Sequence, residues 1–529
     1  MSDMAISFAV LGLVVVLFVV NRVPLEVVAV GAAVLLYATG VLSINEALAG
    51  FGDPTVIFIA TLFIVSEGLD AGGVTAWAGR LLVRQAGGGR TRLLVMIMAA
   101  IALATAFISV NGAVAALLPV VVMAAIRLHH LPSGLLLPMV FAAHAGSMLA
   151  LTGTPVNVIV SDAAVDAGAG RFGYFDFALV GIPLVAGTIA IVLLFGHRLV
   201  PDRKPRSIPP DFSEHARTLI RQYGGMERDE AGTPGDPVRP LFTPETGVAE
   251  VVVPPRSALI GASVFPGMVT DSGSLVVVAV QRHGEDREGE TVVAAGDILL
   301  LEGTWAAFTE NLDDSEVLVV DRPDLVRRQT APVGRPGKTA AIVLGVMILL
   351  LVTGVVPPVV AGLLAAGAMV LSRVLTMQQA YRSISWTTVV LVGGMIPLST
   401  AMQQTGAAEH LAELLVGLVG DGSPYLLLFG LAVLTATLGQ LISNTATALI
   451  VIPIAVSAAA DTGVSVRPVL MAVTVAAAAS FLTPVATPVN LMVMGPGGYR
   501  FGDYWRLGLP LLVLFVTVAT FLVPVFWPF

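Results

Sequence analysis

Two apolar stretches of this chain close on the same four residues, Thr-Pro-Val-Asn, at 154–157 and again at 487–490, a spacing of 333 residues. A proline inside a membrane-length run breaks the helix and exposes a carbonyl, and threonine adds a hydroxyl beside it. Interrupted hydrophobic segments in matching positions of two halves point to the binding site of a secondary transporter. The echo runs on in both directions. Downstream, Asp176-Phe177 leads to Gly181-Ile182-Pro183-Leu184, and Asp503-Tyr504 leads to Gly508-Leu509-Pro510-Leu511. Upstream, Val41-Leu42-Ser43-Ile44-Asn45-Glu46-Ala47 aligns with Val374-Leu375-Thr376-Met377-Gln378-Gln379-Ala380 at the same spacing, as do Ser66 with Ser399 and Gly73 with Gly406.

The solvent these halves require is lipid. Of 529 residues 56% are hydrophobic and 12% charged, against roughly 25% charged in soluble domains. Runs at 4–20, 24–42, 175–196, 339–356 and 507–527 reach the ~20 residues that cross a bilayer, so an all-α polytopic membrane protein is expected. The first run follows Met1-Ser2-Asp3-Met4, without positive charge or a cleavage site, and reads as a retained span. There is no cysteine, which excludes disulfides and thiolate metal sites.

Each half reads as five spans plus a re-entrant hairpin. The first half, within 1–204, has spans at 4–20, 24–42 and 54–72, a hairpin at 93–126, a broken span at 134–165 and a last span at 175–198. The second, within 336–529, has 338–356, 358–372, 385–402, a hairpin at 424–460, a broken span at 468–496 and 506–527. Arg22, Arg80, Arg84, Arg90, Arg92, Arg127, Arg198, Arg203 and Lys204 share one predicted face, as do Arg335, Lys338, Arg373, Arg382, Arg500 and Arg506. Asn45, Glu46, Asp53, Asp162 and Asp166 share the other, with Arg171 as an exception, as do Glu409, Glu413, Asp421, Asp461 and Arg467. The positive face is the cytoplasmic one, which puts both termini outside and predicts two inverted repeats in the plasma membrane. Between them, 205–335 is polar. Its start, 205–245, reads as a linker, and alternating runs such as Ser274–Val280 and Gly296–Gly303 predict a small α/β cytoplasmic domain.

No hydrolase, metalloprotease, P-loop or dinucleotide signature is present, so no enzyme is expected, nor a nucleic-acid partner. What remains is polar residues at membrane depth. One hairpin carries Ser109-Val110-Asn111-Gly112 before Pro119, the other Ser443-Asn444-Thr445 before Pro453. Helix ends at such tips leave N–H groups for an anion and carbonyls for a cation. Ser, Asn and Thr also glue membrane helices together, but four matched polar breaks favour a site for a small anion and a hard cation. Glu67, Asp70 and His144 are intramembrane ionisable groups. Glu67 and Asp70 are the candidates for proton coupling, although their repeat partners Thr400 and Gln403 carry no charge. His129-His130 read as loop residues.

These residues resemble the divalent-anion/sodium symporter family of the wider ion transporter superfamily. Ser443-Asn444-Thr445 matches its Ser-Asn-Thr tip, Gly146 through Asn157 is similar to its first broken helix, and Phe481 through Pro484 and Tyr499 through Tyr504 to its last spans. The first tip departs from the pattern in reading Ser-Val-Asn-Gly. The resemblance implies an elevator-type homodimer with a scaffold and a moving transport domain. It implies one sodium site at Ser109, Asn111 and the Gly153 backbone and another at Asn444 and the Ala486 backbone. Substrate would meet Ser443, Thr445 and the turns Thr154-Pro155 and Thr487-Pro488, with Asn111, Gly112 and Asn444 alongside. Residues 246–312 resemble a TrkA-C type ligand-binding domain at Gly261, Arg282 and Gly296-Asp297, and such domains include readers of cyclic di-AMP. Relatives with both parts are associated with sulfate or dicarboxylates.

The function expected is therefore sodium-coupled symport of a small divalent anion. A proton-coupled exchanger or cation antiporter would need an essential carboxylate such as Glu67 or Asp162. A channel gated by the cytoplasmic domain would lack a T-V-G-Y-G filter.

Overall fold

The computed structural model of the protein describes residues 2–20, 22–74, 89–127, 130–203, most of 246–304, 307–308, 318–319, 335–419 and 423–529. Arg80, Arg84, His129, Lys204, the linker 205–245 and Asp421 lie outside the described residues. The chain divides into two compact units, one made of Met1–Leu69, Ala78–Pro209 and Thr339–Phe529, the other of Asp70–Trp77 and Pro210–Lys338.

The first unit is helical. From its amino-terminal half come α1 (Asp3–Val20), α2 (Leu25–Ala38), α3 (Ile44–Ala49), α4 (Pro54–Ala71), α5 (Arg90–Thr105), α6 (Val110–Arg127), α7 (Ser133–Gly146), α8 (Pro155–Asp166) and α9 (Ala178–Leu199). From the other half come α10 (Arg335–Thr353), α11 (Pro358–Leu371), α12 (Met377–Ser383), α13 (Trp386–Gln404), α14 (Ala407–Val419), α15 (Pro424–Leu438), α16 (Asn444–Thr462), α17 (Val466–Ala477), α18 (Pro488–Met492), α19 (Tyr504–Thr517) and, after a π turn at Val518–Leu522, α20 (Val523–Phe526). Among the described residues six helical stretches are long and apolar enough to cross a membrane, or seven when α12 and α13, bent by 56°, count as one. Both expected hairpins are helix pairs, α5–α6 and α15–α16, and the expected broken spans are interrupted at 147–154 and 478–487.

Local structure repeats at the spacing seen in the sequence. Helix α3 opens with a capping box in which the Ser43 side chain takes the Glu46 N–H and Glu46 takes the Ser43 N–H; α12 opens with the same device between Thr376 and Gln379. Each satisfies two amides that a helix start leaves orphaned. Gly73 and Gly406 hold φ of +74° and +73°.

The break in each half is pressed by the helix that follows it. A Cβ added at Gly181 would lie 2.2 Å from the Met148 carbonyl oxygen, and one at Gly508 would lie 2.4 Å from that of Phe481. Met148 and Phe481 are themselves 333 residues apart, so the two Gly-x-Pro-Leu motifs do the same packing work. Backbone cannot retreat as a side-chain end can. Gly181→Ala and Gly508→Ala are each expected to cost about 1–3 kcal/mol, the usual range for overpacking, measured by denaturation of the detergent-solubilised protein; parent-like stability in both variants would show that the contact is not tight.

The second unit contains a five-stranded sheet of order β4-β3-β6-β1-β7, with β1 (Thr246–Val252), β3 (Leu275–Arg282), β4 (Glu285–Asp286), β6 (Ile298–Thr304) and β7 (Leu318–Val319) all paired antiparallel. A separate ladder joins β2 (Ser263–Val264) to β5 (Thr291–Val292). Alternate residues, among them Val251, Leu275, Val277, Leu299, Leu301 and Phe308, form the core. Arg282 grips Asp297 through two hydrogen bonds of 2.6 Å and donates to the Val292 carbonyl at 2.8 Å, and the Ala294 N–H also donates to Asp297. Asp297 is buried. Its carboxylate raises the proton affinity of the Arg282 guanidinium further. In this unit the Arg282 and Asp297 of the expected ligand-binding pattern therefore act on each other, as a bidentate clasp between the strands.

Candidate functional site

A cavity of about 440 Å³ lies inside the first unit, where the two hairpin tips meet the two broken spans. Ser109 and Asn111 come from the first tip, Ser443, Asn444 and Thr445 from the second, Gly153, Thr154 and Pro155 from one break, and Ala486, Thr487 and Pro488 from the other. Eleven of the expected site residues thus border one space. Gly112 is not among its lining residues; its N–H donates to Ser109 Oγ at 3.2 Å, closing the first turn of α6. Glu67 and Asp70 do not line it either.

Each tip is capped by its serine. Ser443 starts α16 and accepts from the Ala446 N–H at 3.3 Å, which leaves the amides of Asn444 and Thr445 at a helix start. Asn444 Oδ1 accepts from Ser480 Oγ at 2.5 Å, and Ser480 lies in the second break. In the first half the Ser109 N–H donates to Ser66 Oγ at 3.1 Å, which fixes that tip on α4.

The broken spans are held open by the asparagines of the Thr-Pro-Val-Asn motif. Asn157 Nδ2 donates to the carbonyls of Ser147 and Ala150 at 3.0 and 2.8 Å. Asn490 Nδ2 donates to those of Ser480 and Thr483 at 2.9 and 3.0 Å. All four acceptors and both asparagines obey the spacing of 333 residues. Carbonyls stripped of helical partners at membrane depth cost free energy until something donates to them, and one amide reaches two of them in each half, although the Ala150 carbonyl also accepts from the Gly153 N–H at 3.1 Å. That is the structural reason for asparagine at these positions; the motif itself is visible in the sequence, its carbonyl partners are not.

Among the described residues the lining carries no Lys, Arg, Asp or Glu, and His144 is its one titratable side chain. His144 is buried, packed edge-on against Phe481, with Nε2 3.3 Å from both Asn490 Oδ1 and Thr487 Oγ1. Ser147, Thr152, Ser385, Thr387, Thr388 and Thr474 also line the space and are not singled out by the repeat motifs. Thr152 is one that topology alone reveals, since its hydroxyl donates to the Ala106 carbonyl just before the first tip. With hydroxyls, carboxamides and helix-start N–H groups as its polar equipment, the cavity offers donors to an oxyanion and neutral oxygens to a hard cation. Among the described residues no cluster of three or more His, Asp or Glu is placed to hold a metal ion.

A second cavity, of about 230 Å³, is bordered by Asp53, Asp162, Asp166, Ser399, Thr400 and Gln403 among others. Thr55 donates to Asp162 at 2.6 Å, and Arg171 lies 3.8 Å from the same carboxylate. Asp162 and Asp166 thus border a crevice together with Asp53.

Comparison with known proteins agrees with this geometry. Residues 15–421 match the family model described as citrate transporter, and 327–529 match that of the sodium:sulfate symporter transmembrane region. The chain is 30% identical to the uncharacterised transporter YfbS of Escherichia coli K12, with 98% of each chain covered, and 28% identical to the uncharacterised transporter sll0640 of Synechocystis, covering 97% of this chain and 95% of that one. It is 26% identical to sodium/sulfate cotransporter 1 of Chlamydomonas reinhardtii over 52% of this chain and 32% of that one. These families and relatives are transporters, in keeping with the apolar helices of a multi-pass membrane protein. By the extent of the citrate-transporter match and the full-length likeness to YfbS, the chain belongs to the divalent-anion/sodium symporter family.

Proposed function

We propose that the protein carries a small divalent oxyanion, sulfate or a dicarboxylate, across the plasma membrane together with sodium ions. The observation that carries this reading is the meeting of two hairpin tips and two Thr-Pro breaks in one cavity that has no Lys or Arg among its described lining residues. Neutral donors offset only part of a dianion's desolvation, which favours cations entering with it. Ser109, Asn111 and the Gly153 carbonyl form one sodium site in this reading, Asn444 and the Ala486 carbonyl the other. Ser443, Thr445, Thr154-Pro155 and Thr487-Pro488 meet the anion, with Asn111, Gly112 and Asn444 beside them. The repeated local structure supports two inverted repeats, and the family supports an elevator cycle in a homodimer. The proton-coupled alternative finds less support, because Glu67 and Asp70 do not border the cavity.

The decisive measurement is uptake of radiolabelled sulfate, succinate and citrate into proteoliposomes under an inward sodium gradient, a proton gradient, or neither. Uptake of a divalent anion that collapses without sodium is the expected result; uptake driven equally by protons would transfer the reading to an exchanger.

The same reading puts residue 90 and the insert 205–335 in the cytoplasm and residue 461 outside, as the arginines require. A cysteine placed singly at 90 in this cysteine-free chain should resist an impermeant thiol reagent in intact cells, and one at 461 should react completely. The reverse pattern would turn the protein over. The insert, in this reading, biases the cycle through a small cytoplasmic ligand such as cyclic di-AMP. Calorimetric titration of the whole protein with that nucleotide tests it; absence of heat leaves the insert a dimerisation element.

A further inference from the structure

The two Thr-Pro turns match in sequence and differ in how the threonine is held. Thr154 caps its own helix, its Oγ1 accepting from the Val156 N–H at 3.4 Å. Thr487 occupies the matching place before α18 and makes no such cap. Its hydroxyl instead faces His144 Nε2 at 3.3 Å, from α7 of the other half. The residue 333 positions beyond His144 is Ala477, so the first turn has no counterpart to this imidazole. Accordingly Asn490 Oδ1 is met by His144, while the buried Asn157 Oδ1 has no partner among the described residues.

The network fixes where the proton sits. Asn490 spends its Nδ2 on two carbonyls, which turns Oδ1, an acceptor only, toward His144. An unprotonated Nε2 would set lone pair against lone pair, so Nε2 carries the hydrogen. Thr487 Oγ1, at the same distance from Nε2, is then an acceptor of that shared N–H. Its own hydrogen remains to be donated. Thr487 lines the cavity.

Among the described residues, the basic groups on the helices packed against α7 lie far along those helices from the imidazole. Gly146 abuts Ala102 and Thr105, so on α5 Arg92 lies about ten residues, or about 15 Å, up the helix. Gly181 abuts Met148, and on α9 His197 and Arg198 lie some sixteen residues, about 24 Å, beyond it. On α6, whose first turn borders the cavity, Arg127 ends the helix about 24 Å from Asn111. The Arg203 backbone N–H donates to Ser133 at the opposite end of α7 while its guanidinium is paired with Asp503, and α18 bears no ionisable group. The Tyr504 hydroxyl donates to the Asn490 carbonyl.

We propose that His144 is a positioning residue for the anion: its Nε2–H replaces the missing helix cap of Thr487, anchors that oxygen, and so directs the Thr487 hydroxyl into the cavity as a donor to the bound oxyanion. The first turn achieves the same with its own backbone. The second depends on a side chain lent by the other half, and the anion site is therefore asymmetric in what a substitution does to it. This inference rests on the cavity being the anion site.

The test is a double-mutant cycle on sulfate binding by the full-length protein in nanodiscs at saturating sodium, read by calorimetry. His144→Leu should weaken binding about tenfold, the scale of one positioned hydrogen bond, and His144→Gln, which keeps a donor, should stay within about threefold of the parent. The effect of His144→Leu should vanish in a Thr487→Val background and persist in a Thr154→Val background. A purely structural role would lower all backgrounds alike. Where His144→Leu does not fold, His144→Met serves the same cycle. An undiminished His144 effect in Thr487→Val, or leucine and glutamine variants that both bind like the parent, overturns the proposal while leaving the anion site standing. A parent protein that binds no sulfate, succinate or citrate in sodium overturns the anion reading, and this inference with it.

Discussion

Asn444→Ala is expected to stop sodium-driven anion uptake while the protein stays folded and in the membrane. Asn444 is the first residue of α16, just after its capping serine, and its carboxamide oxygen already faces Ser480 Oγ in the second break. The side chain therefore spans the gap between a hairpin tip and a broken span, where a cation that binds both would hold them together. Alanine keeps the helix, since alanine is the best helix former, and Ser443 still takes the Ala446 N–H. Lost is a neutral oxygen that the backbone cannot replace. Removing a ligand from a site with few of them should weaken sodium binding by at least the 10–100-fold seen when even supporting groups of metal sites are removed, which places ordinary sodium concentrations far below saturation. Uptake in proteoliposomes should fall to background at moderate sodium and recover in part as sodium is raised. Asn111→Ala should act likewise at the first tip. Sodium dependence unchanged in either variant would remove that asparagine from the site.

The recovery at high sodium separates two kinds of failure. A lost cation ligand shifts an affinity, which mass action can offset. A broken turn does not respond to sodium. His144 gives a third pattern, since it acts on the anion through Thr487 and should leave the sodium dependence nearly unchanged.

Much of this architecture is legible without coordinates, and the reasons are local. Membrane length and proline positions delimit the broken spans because the backbone in lipid must satisfy itself within the segment. The capping boxes at Ser43–Glu46 and Thr376–Gln379 are legible because their partners are three residues apart. Gly181 and Gly508 are legible as a repeated pair, although what they press against is not. The pairing of His144 with Thr487 and Asn490 is invisible in the sequence, because its partners are 343 and 346 residues away and the repeat offers no second copy as a hint. Glu67 and Asp70 are the opposite case, conspicuous in the sequence but not among the lining residues of the cavity. Charge within an apolar span draws attention, yet the cavity is lined by neutral groups and neither carboxylate borders it. The Arg282–Asp297 clasp teaches the same caution in the second unit, where a motif that suggests ligand binding also ties strands together.

Asn490→Ala is expected to be the most damaging single substitution in the membrane region. Its Nδ2 serves the carbonyls of Ser480 and Thr483, which no helix satisfies because the chain is broken between α17 and α18. Asn490 and Ser480 are fully buried, so water does not readily take over. The buried Ser480 carbonyl left without a donor costs about 1–3 kcal/mol and the half-buried Thr483 carbonyl adds less, and the His144 N–H loses one of its acceptors as well. A loss of that size is a large share of the 5–15 kcal/mol that hold a typical protein folded. The variant should unfold at clearly lower temperature in detergent, and transport should fail at every sodium concentration, unlike that of Asn444→Ala. Asn157→Ala should lose less, because only the Ser147 carbonyl is left without a donor while the Ala150 carbonyl still accepts from the Gly153 N–H at 3.1 Å, and because its Oδ1 has no partner among the described residues. Asn490→Asp, which keeps the shape but donates nothing as a carboxylate, should be no better than alanine. If Asn490→Ala melts with the parent protein and still transports, the carboxamide does not hold the break open, and the recurrence of the Thr-Pro-Val-Asn motif needs another cause.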